Sequence, residues 1–302
     1  MKPAFSYYGG KQRIAGKIIP YIHKHTVYAE PFCGGATILF RKPRPKVTNT
    51  THYREYINDL NGLVFNFFDV LSRRGNELAE RIAVYPMCEQ HHRESLKICK
   101  NPEGVEELDL AIAFFVNIQQ SFSNQLNTGW KRAVYSRNTG ATWAKNSILF
   151  DYVERMKSVG VSNTDALKFI KQFDSPQTFF YCDPPYPGAN QGHYGGYTRE
   201  DFYALIDIID KSQSNAIISC YPMDGCLDNV QSKWEIVEIE ASMSSSKVDN
   251  IERSKEAVKR TGHKRTEVLY IKRSSVKPRS EILELYESGK YDCFTGKTEN
   301  LI

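Results

Sequence analysis

An apolar run that stops at two adjacent glycines and resumes as a helical pattern is what most constrains the fold of this chain. Val27-Tyr28-Ala29-Glu30 reads as a strand, Pro31 to Gly35 as a turn, and Ala36-Thr37-Ile38-Leu39-Phe40 as the start of a helix. Glu55-Tyr56-Ile57-Asn58 is a further strand, and it ends at Asp59, 24 residues after Gly35. Helix, strand, glycine turn, helix and strand alternate through residues 1–60 as they do in an α/β unit. Glycines at such a junction let the backbone approach a ligand closely, and an acid about 20 residues further on is where such folds hold a nucleotide ribose. Each feature also has a plain reading, the first as a tight turn and the second as the N-cap of the next helix.

The chemistry is densest in Tyr181-Cys182-Asp183-Pro184-Pro185-Tyr186, which follows the apolar strand Thr178-Phe179-Phe180. Proline fixes its own φ and removes a backbone donor, so this turn presents carbonyl oxygens outward. Asp183 adds acceptor oxygens and Tyr186 a flat face. That surface suits a planar ring carrying an exocyclic NH2, with acceptors for both hydrogens and an aromatic face for stacking. Adenine's amine is a poor nucleophile because its lone pair is delocalised into the ring. Hydrogen bonds to Asp183 and to the Pro184 carbonyl would localise that pair on nitrogen, which could then attack an electrophilic methyl group. The plain alternative is a rigid proline turn that caps a strand.

Two further segments point at the same place. Phe5-Ser6-Tyr7-Tyr8-Gly9-Gly10-Lys11 precedes the helical stretch Ile14 to Ile19. Its aromatics could face a cationic sulfonium and Lys11 could meet a phosphate or a base edge; it could equally be a basic turn with packed tyrosines. Asp165, in Asn163-Thr164-Asp165-Ala166, stands eighteen residues before Asp183. It reads either as a group bonding adenine's edge or as the N-cap of a helix from Ala166.

In this order the segments resemble the Dam-like class of DNA adenine-N6 methyltransferases. The shared pattern is aromatic-Gly-Gly-Lys, Glu-Pro-Phe-x-Gly-Gly, Asn-Asp-x-Asn, an inserted segment and Asp-Pro-Pro-Tyr, and it covers residues 3–65 and 160–272. Protein-glutamine methyltransferases usually carry Asn at the first position of the last motif, so Asp183 favours adenine. The resemblance implies an α/β fold, a Rossmann-like methyltransferase sheet flanked by helices with an inserted, mainly helical DNA-recognition domain. It implies S-adenosylmethionine as methyl donor and S-adenosylhomocysteine as product. It assigns Tyr7, Lys11, Glu30, Phe32, Gly34, Gly35, Asp59 and Asp165 to the cofactor side, and Asp183, Pro184 and Tyr186 to catalysis by base flipping. Lys11 also falls where a family lysine reaches DNA. An RNA adenine methyltransferase and a catalytically silent DNA-binding relative are the alternatives.

The expected organisation is a catalytic domain from residues 1–62 and 158–273, an inserted target-recognition domain over 63–157 and a C-terminal tail over 274–302, with Ile282, Leu283, Leu285 and Tyr286 suggesting a short amphipathic helix. In the resembled family the insertion recognises DNA. Its expected contact stretch runs from Gln119 to Arg132 and on to Asn138, rich in amides, hydroxyls and cations that suit base edges and phosphates. Gln125, Asn127, Lys131, Arg132 and Arg137 are the candidates there, with Tyr194 and Tyr197 in the glycine-rich loop after Tyr186. A plain hydrophilic hairpin is the competing reading, and no target sequence transfers, because the stretch does not match family members that methylate GATC. A basic loop from Arg253 to Arg265 could run along phosphates.

A net charge of +5 fits double-stranded DNA as a partner without requiring it. Seven scattered cysteines read as reduced thiols, and Cys88, His91, His92 and Cys99 do not make a zinc spacing, so no metal is expected. With no leader peptide and no membrane-length apolar run, a cytoplasmic protein of a bacterial or phage-infected cell is expected, a monomer or a dimer on DNA.

Overall fold

The computed structural model describes residues 1–23, 25–43, 53–131, 139–188, 196–242, 264–273, 291–292 and 297–298. Along the chain they form α1 (Ala15–Ile18), β1 (Val27–Glu30), α2 (Thr37–Arg41), β2 (Arg54–Asn58), α3 (Gly62–Arg73), α4 (Gly75–Ala83), α5 (Glu89–Lys100), α6 (Glu107–Gln120), α7 (Thr139–Asn146) and α8 (Phe150–Met156). Then follow β3 (Val159–Ser162), α9 (Ala166–Phe173), β4 (Thr178–Cys182), α10 (Arg199–Lys211), β5 (Asn215–Cys220), β6 (Lys233–Ser242) and β7 (Lys264–Arg273). A separate two-stranded pair, β8 (Tyr291–Asp292) and β9 (Lys297–Thr298), lies near the end of the chain. The tail helix suggested at Ile282 to Tyr286 falls outside the described residues.

The seven strands β1 to β7 form one sheet in the order β3-β2-β1-β4-β5-β7-β6. β3, β2, β1, β4 and β5 run parallel, and β7 and β6 are antiparallel at one edge. The chain leaves β1 in one direction to build β2 and β3, then returns to place β4 on β1's other side. Strand order therefore reverses between β1 and β4, and ligands of open α/β sheets bind in the crevice beyond the strand ends at such a point.

Both faces of the sheet are covered, as parallel sheets require. Alternate residues divide between two cores. Tyr28, Phe179, Tyr181, Ile217, Leu269 and Ile271 pack with the helices from α1 to α8. Ala29, Phe180, Cys182, Ala216, Ile218 and Tyr270 pack with α9 and α10. α6 is buried almost all round, which explains an apolar run too dense for an amphipathic stripe. Phe67 of α3 and Phe114 of α6 close on Phe5 with ring centroids 5.1 Å away. Buried residues of α3 to α8 thus belong to the same core as the sheet's Tyr28 and Phe179. Among the described residues no helix is long and apolar enough to cross a membrane.

A buried charge cluster pins the end of the sheet opposite those crevices. Glu55, which begins the buried part of β2, takes Lys42 at 2.5 Å and Arg155 at 2.6 Å, and its carboxylate also accepts the Tyr53 hydroxyl at 3.0 Å. The Lys42 ammonium stands 4.3 Å from the centre of the Tyr28 ring. This cluster ties β2 to the end of α2 and to α8.

Candidate active site

β1, β2 and β4 end side by side, and each delivers one of the sequence motifs. The turn after β1 is shaped by its glycines. Gly34 has φ +46°, in the left-handed region that favours glycine. A Cβ there would lie 2.9 Å from Cδ1 of Tyr7, and one on Gly35 would lie 3.0 Å from the Phe5 carbonyl oxygen. The N-terminal aromatic motif thus packs directly on the glycine turn, and only glycine permits that approach.

Asp59 closes the same turn from β2. Its Oδ2 accepts the Gly34 N–H at 2.8 Å and its Oδ1 accepts the Asn61 N–H at 2.9 Å. The N-cap of α3 is Asn61, whose side chain accepts the Leu63 N–H and donates to the Tyr7 hydroxyl at 2.9 Å. Glu30 is buried beneath the turn and accepts the Tyr28 hydroxyl and the Leu39 N–H, each at 2.7 Å. Burial pushes its carboxyl up to about 8 despite those two bonds. Phe32 meets the Tyr197 ring edge-on, with centroids 6.1 Å apart.

β4 delivers Asp183, Pro184 and Tyr186. Asp183 is largely buried, its side chain 18% exposed. Both its oxygens accept from the Lys11 ammonium, at 2.6 and 2.7 Å, and Oδ1 also accepts the Tyr186 hydroxyl at 3.1 Å. Lys11 donates further to the Gly9 carbonyl at 2.9 Å and stands 5.0 Å from the centre of the Tyr186 ring. Burial raises the Asp183 pKa to about 6; Glu267 adds to the rise and Lys11 opposes it. Burial works against the charge on Lys11, yet Asp183 and Glu267 hold its pKa above the usual lysine value.

Sequence reasoning missed Glu267 and Ser219. Glu267 opens the apolar part of β7, buried, 3.6 Å from the Lys11 ammonium. It accepts from Ser219 Oγ at 2.5 Å and shares the single proton of the Tyr186 hydroxyl with Asp183. The available signal was its strand pattern: Glu267, Leu269 and Ile271 alternate onto one face, and an acid on an otherwise apolar face needs a partner.

The remaining candidates are more scattered. Asp165 caps α9, accepting the Lys168 N–H at 3.0 Å. Gln119, Gln120 and Ser121 are buried, so the contact stretch expected to begin at Gln119 turns outward only at Phe122. Gln119 bonds the Ala4 carbonyl and Gln120 the Pro86 carbonyl, at 3.2 and 3.0 Å. Residues 121–130 form a hairpin-like loop in which Phe122 is 63% exposed. Asn127 holds this loop to α6: its N–H and side-chain oxygen bond Asn117 at 3.0 and 3.1 Å. Lys131 donates to Asn124 at 2.6 Å, and Gln125 is half-buried. Arg132, Arg137 and Tyr194 lie outside the described residues. Of the histidines weighed for metal, His92 is buried with Nε2 2.8 Å from Ser121 Oγ.

The site therefore joins a glycine turn, two strand-end acids and a buried lysine with two carboxylates at the carboxyl edge of one sheet. The family model of the D12 class N6 adenine-specific DNA methyltransferases matches residues 7–221, well over half of the chain. No curated protein matches it.

Proposed function

The chain belongs to the D12 class N6 adenine-specific DNA methyltransferases, and from that premise we propose that it methylates the N6 amine of adenine turned out of double-stranded DNA, with S-adenosylmethionine as donor. The observation that carries this reading is the convergence of Asp183, Gly34 and Asp59 at the ends of three adjacent strands. S-adenosylmethionine supplies an electrophilic methyl group on a cationic sulfonium. The residues of the glycine turn fit such a group, because a backbone free of Cβ atoms allows close approach and Tyr7 offers an aromatic face. Tyr7, Phe32, Gly34 and Gly35 would hold its amino-acid portion above the buried Glu30, Asp59 its ribose hydroxyls, and Asp165 would lie beside adenine, while the three donors of Lys11 stay on Asp183 and Gly9.

The acceptor residues then act on the target base. Asp183 and the Pro184 carbonyl accept the two amine hydrogens and return electron density to N6. Tyr186 stacks on the ring. Asp183, with its pKa near 6, takes the proton that N6 sheds. A buried base cannot reach this pocket from within a duplex, so the nucleotide must leave the stack. The exposed ring of Phe122, on the loop at 121–130, would serve to fill or wedge a base step. The test is methyl uptake from labelled donor by duplex DNA and by RNA of the same sequence. Uptake by DNA is expected; uptake by RNA alone would move the reading to an RNA enzyme.

Asp59→Ala is expected to weaken donor binding by about 2–4 kcal/mol, through loss of two charge-assisted hydrogen bonds. Calorimetry showing unchanged affinity would take Asp59 out of the donor site. Substituting Gln125 or Arg132 is expected to change which adenines are methylated, since a base-edge contact discriminates by about 1–3 kcal/mol. Neutralising Lys259, Lys264 and Arg265 is expected instead to weaken binding to every DNA and flatten its salt dependence. Maps of methylated sites, with binding at two salt concentrations, separate the two effects; an unaltered map for the first set would remove the loop as reader.

A further inference from the structure

The acceptor proposed for the adenine amine already holds a cation. The Lys11 ammonium bridges both oxygens of Asp183, at 2.6 and 2.7 Å, and the Tyr186 hydroxyl occupies Oδ1 as well. Oδ2 keeps a lone pair open, but an N6–H donor entering the pocket meets the Lys11 ammonium that bridges both oxygens and competes with it for the carboxylate. Lys11 is buried, and a buried ammonium stripped of its partner is costly. A second carboxylate stands ready: Glu267 lies 3.6 Å from the same nitrogen. Its position is fixed by the backbone register of β7 against β5 and by the Ser219 hydroxyl at 2.5 Å. The Tyr186 hydroxyl touches both acids, so the two carboxylates, the lysine and the tyrosine form one connected cluster. Glu267 lies beyond the residues that the family model matches.

We propose that Glu267 is a positioning residue that receives the Lys11 ammonium when the adenine amine enters, releasing Asp183 as an acceptor while the buried cation stays paired. This rests on the reading of Asp183 as the acceptor for N6. No bond is made or broken in the exchange; the proton stays on Lys11 and only the ion pair moves. The move from 3.6 Å to hydrogen-bond distance is within the reach of a lysine side chain.

With both acids ionised, Lys11, Asp183 and Glu267 carry one net negative charge. Removing the charge of Glu267 leaves Lys11 locked on Asp183 and takes away one influence that raises the Asp183 pKa. The other groups that sense Asp183 are Tyr186, Tyr181, Cys182, Cys220 and Glu30, and Glu267→Gln leaves all of them in place.

The experiment compares Glu267→Gln with the unaltered enzyme in steady-state methyl transfer to duplex DNA across pH 5–9, with donor affinity and melting temperature measured beside it. A fall in kcat of about 10²-fold is expected, the size of effect that a misplaced reacting group produces. Donor affinity should stay within about twofold, and the acidic limb of the pH profile should move to lower pH. A kcat within about threefold of the unaltered enzyme, or an acidic limb that stays in place, overturns the proposal. Should Glu267→Gln fail to fold, Ser219→Ala removes the hydroxyl that fixes Glu267 and leaves every charge untouched; a kcat lowered about tenfold at unchanged donor affinity is then expected, and no change overturns the proposal. If the unaltered protein transfers no methyl group to adenine, the reading of Asp183 fails and the role of Glu267 fails with it.

Discussion

Asp183→Ala is expected to lower methyl transfer by about 10³-fold or more while donor affinity changes little. With Asp183 as the proposed acceptor, the target amine would enter at this carboxylate, and among the described acids only Glu267 also reaches both Lys11 and Tyr186. The fold should survive, because the Lys11 ammonium keeps Glu267 and the Gly9 carbonyl as partners. Asp183→Asn is the sharper control. It keeps the shape but replaces one acceptor by a donor, which would face the amine's own hydrogens. The pH dependence follows from the same group. Its pKa is raised to about 6, so activity should fall as pH drops through that value and the carboxylate gains a proton. Steady-state rates at saturating donor check both points; a mutant retaining more than about a tenth of the activity contradicts the mechanism.

Glu55→Ala is expected to cost about 3–5 kcal/mol of stability, the penalty for breaking a buried ion pair from one side. Lys42 and Arg155 both end on this carboxylate, and the Lys42 side chain is fully shielded from water. Alanine would leave two buried cations facing each other. Lys42 and Arg155 outweigh the burial of Glu55 and hold its pKa down at about 2, against an ordinary 4.5. A depressed acid contributes stability above its unfolded pKa and loses it as pH falls. The contribution should therefore be complete above about pH 4.5 and gone near 2. Denaturant titrations of both proteins at neutral pH and near pH 3 test this: the gap between them should narrow in acid, and a gap under about 1 kcal/mol at neutral pH would show that the cluster is not a structural tie.

The parts of this site that the sequence made legible are those where one local motif carries its own geometry. The Gly34-Gly35 turn announces itself because only glycine tolerates the approach of Tyr7 and Phe5; Asp183 stands out because it ends an apolar run, and Asp59 because it follows a strand at the expected distance beyond the glycines. The sheet was legible for the same reason, since Thr178 to Cys182 is buried at every position. Contacts across long separations were not. Lys11 meets Asp183 across 172 residues, and nothing local to Lys11 distinguishes a phosphate ligand from a buried counter-ion. Glu267 was hidden inside an ordinary alternating strand. Gln119 and Gln120 mislead in the opposite direction, because their amides read as base-edge contacts, yet the side chains are buried and bond the Ala4 and Pro86 carbonyls next to α6. Phe122 is not legible from sequence, because a lone apolar residue in a polar loop gives no sign of whether its ring packs or, as here, faces solvent.

With Asp183 as the proposed acceptor, the amine of an adenine in DNA is the group set before it. The most direct measurement gives unmodified duplex DNA and donor carrying a labelled methyl group to the unaltered protein and to Asp183→Ala, at matched donor occupancy, and then resolves the nucleosides by mass. Label in N6-methyladenine is expected with the unaltered protein and none above background with the variant. Label in any other nucleoside, or equal label from both proteins, would contradict that assignment.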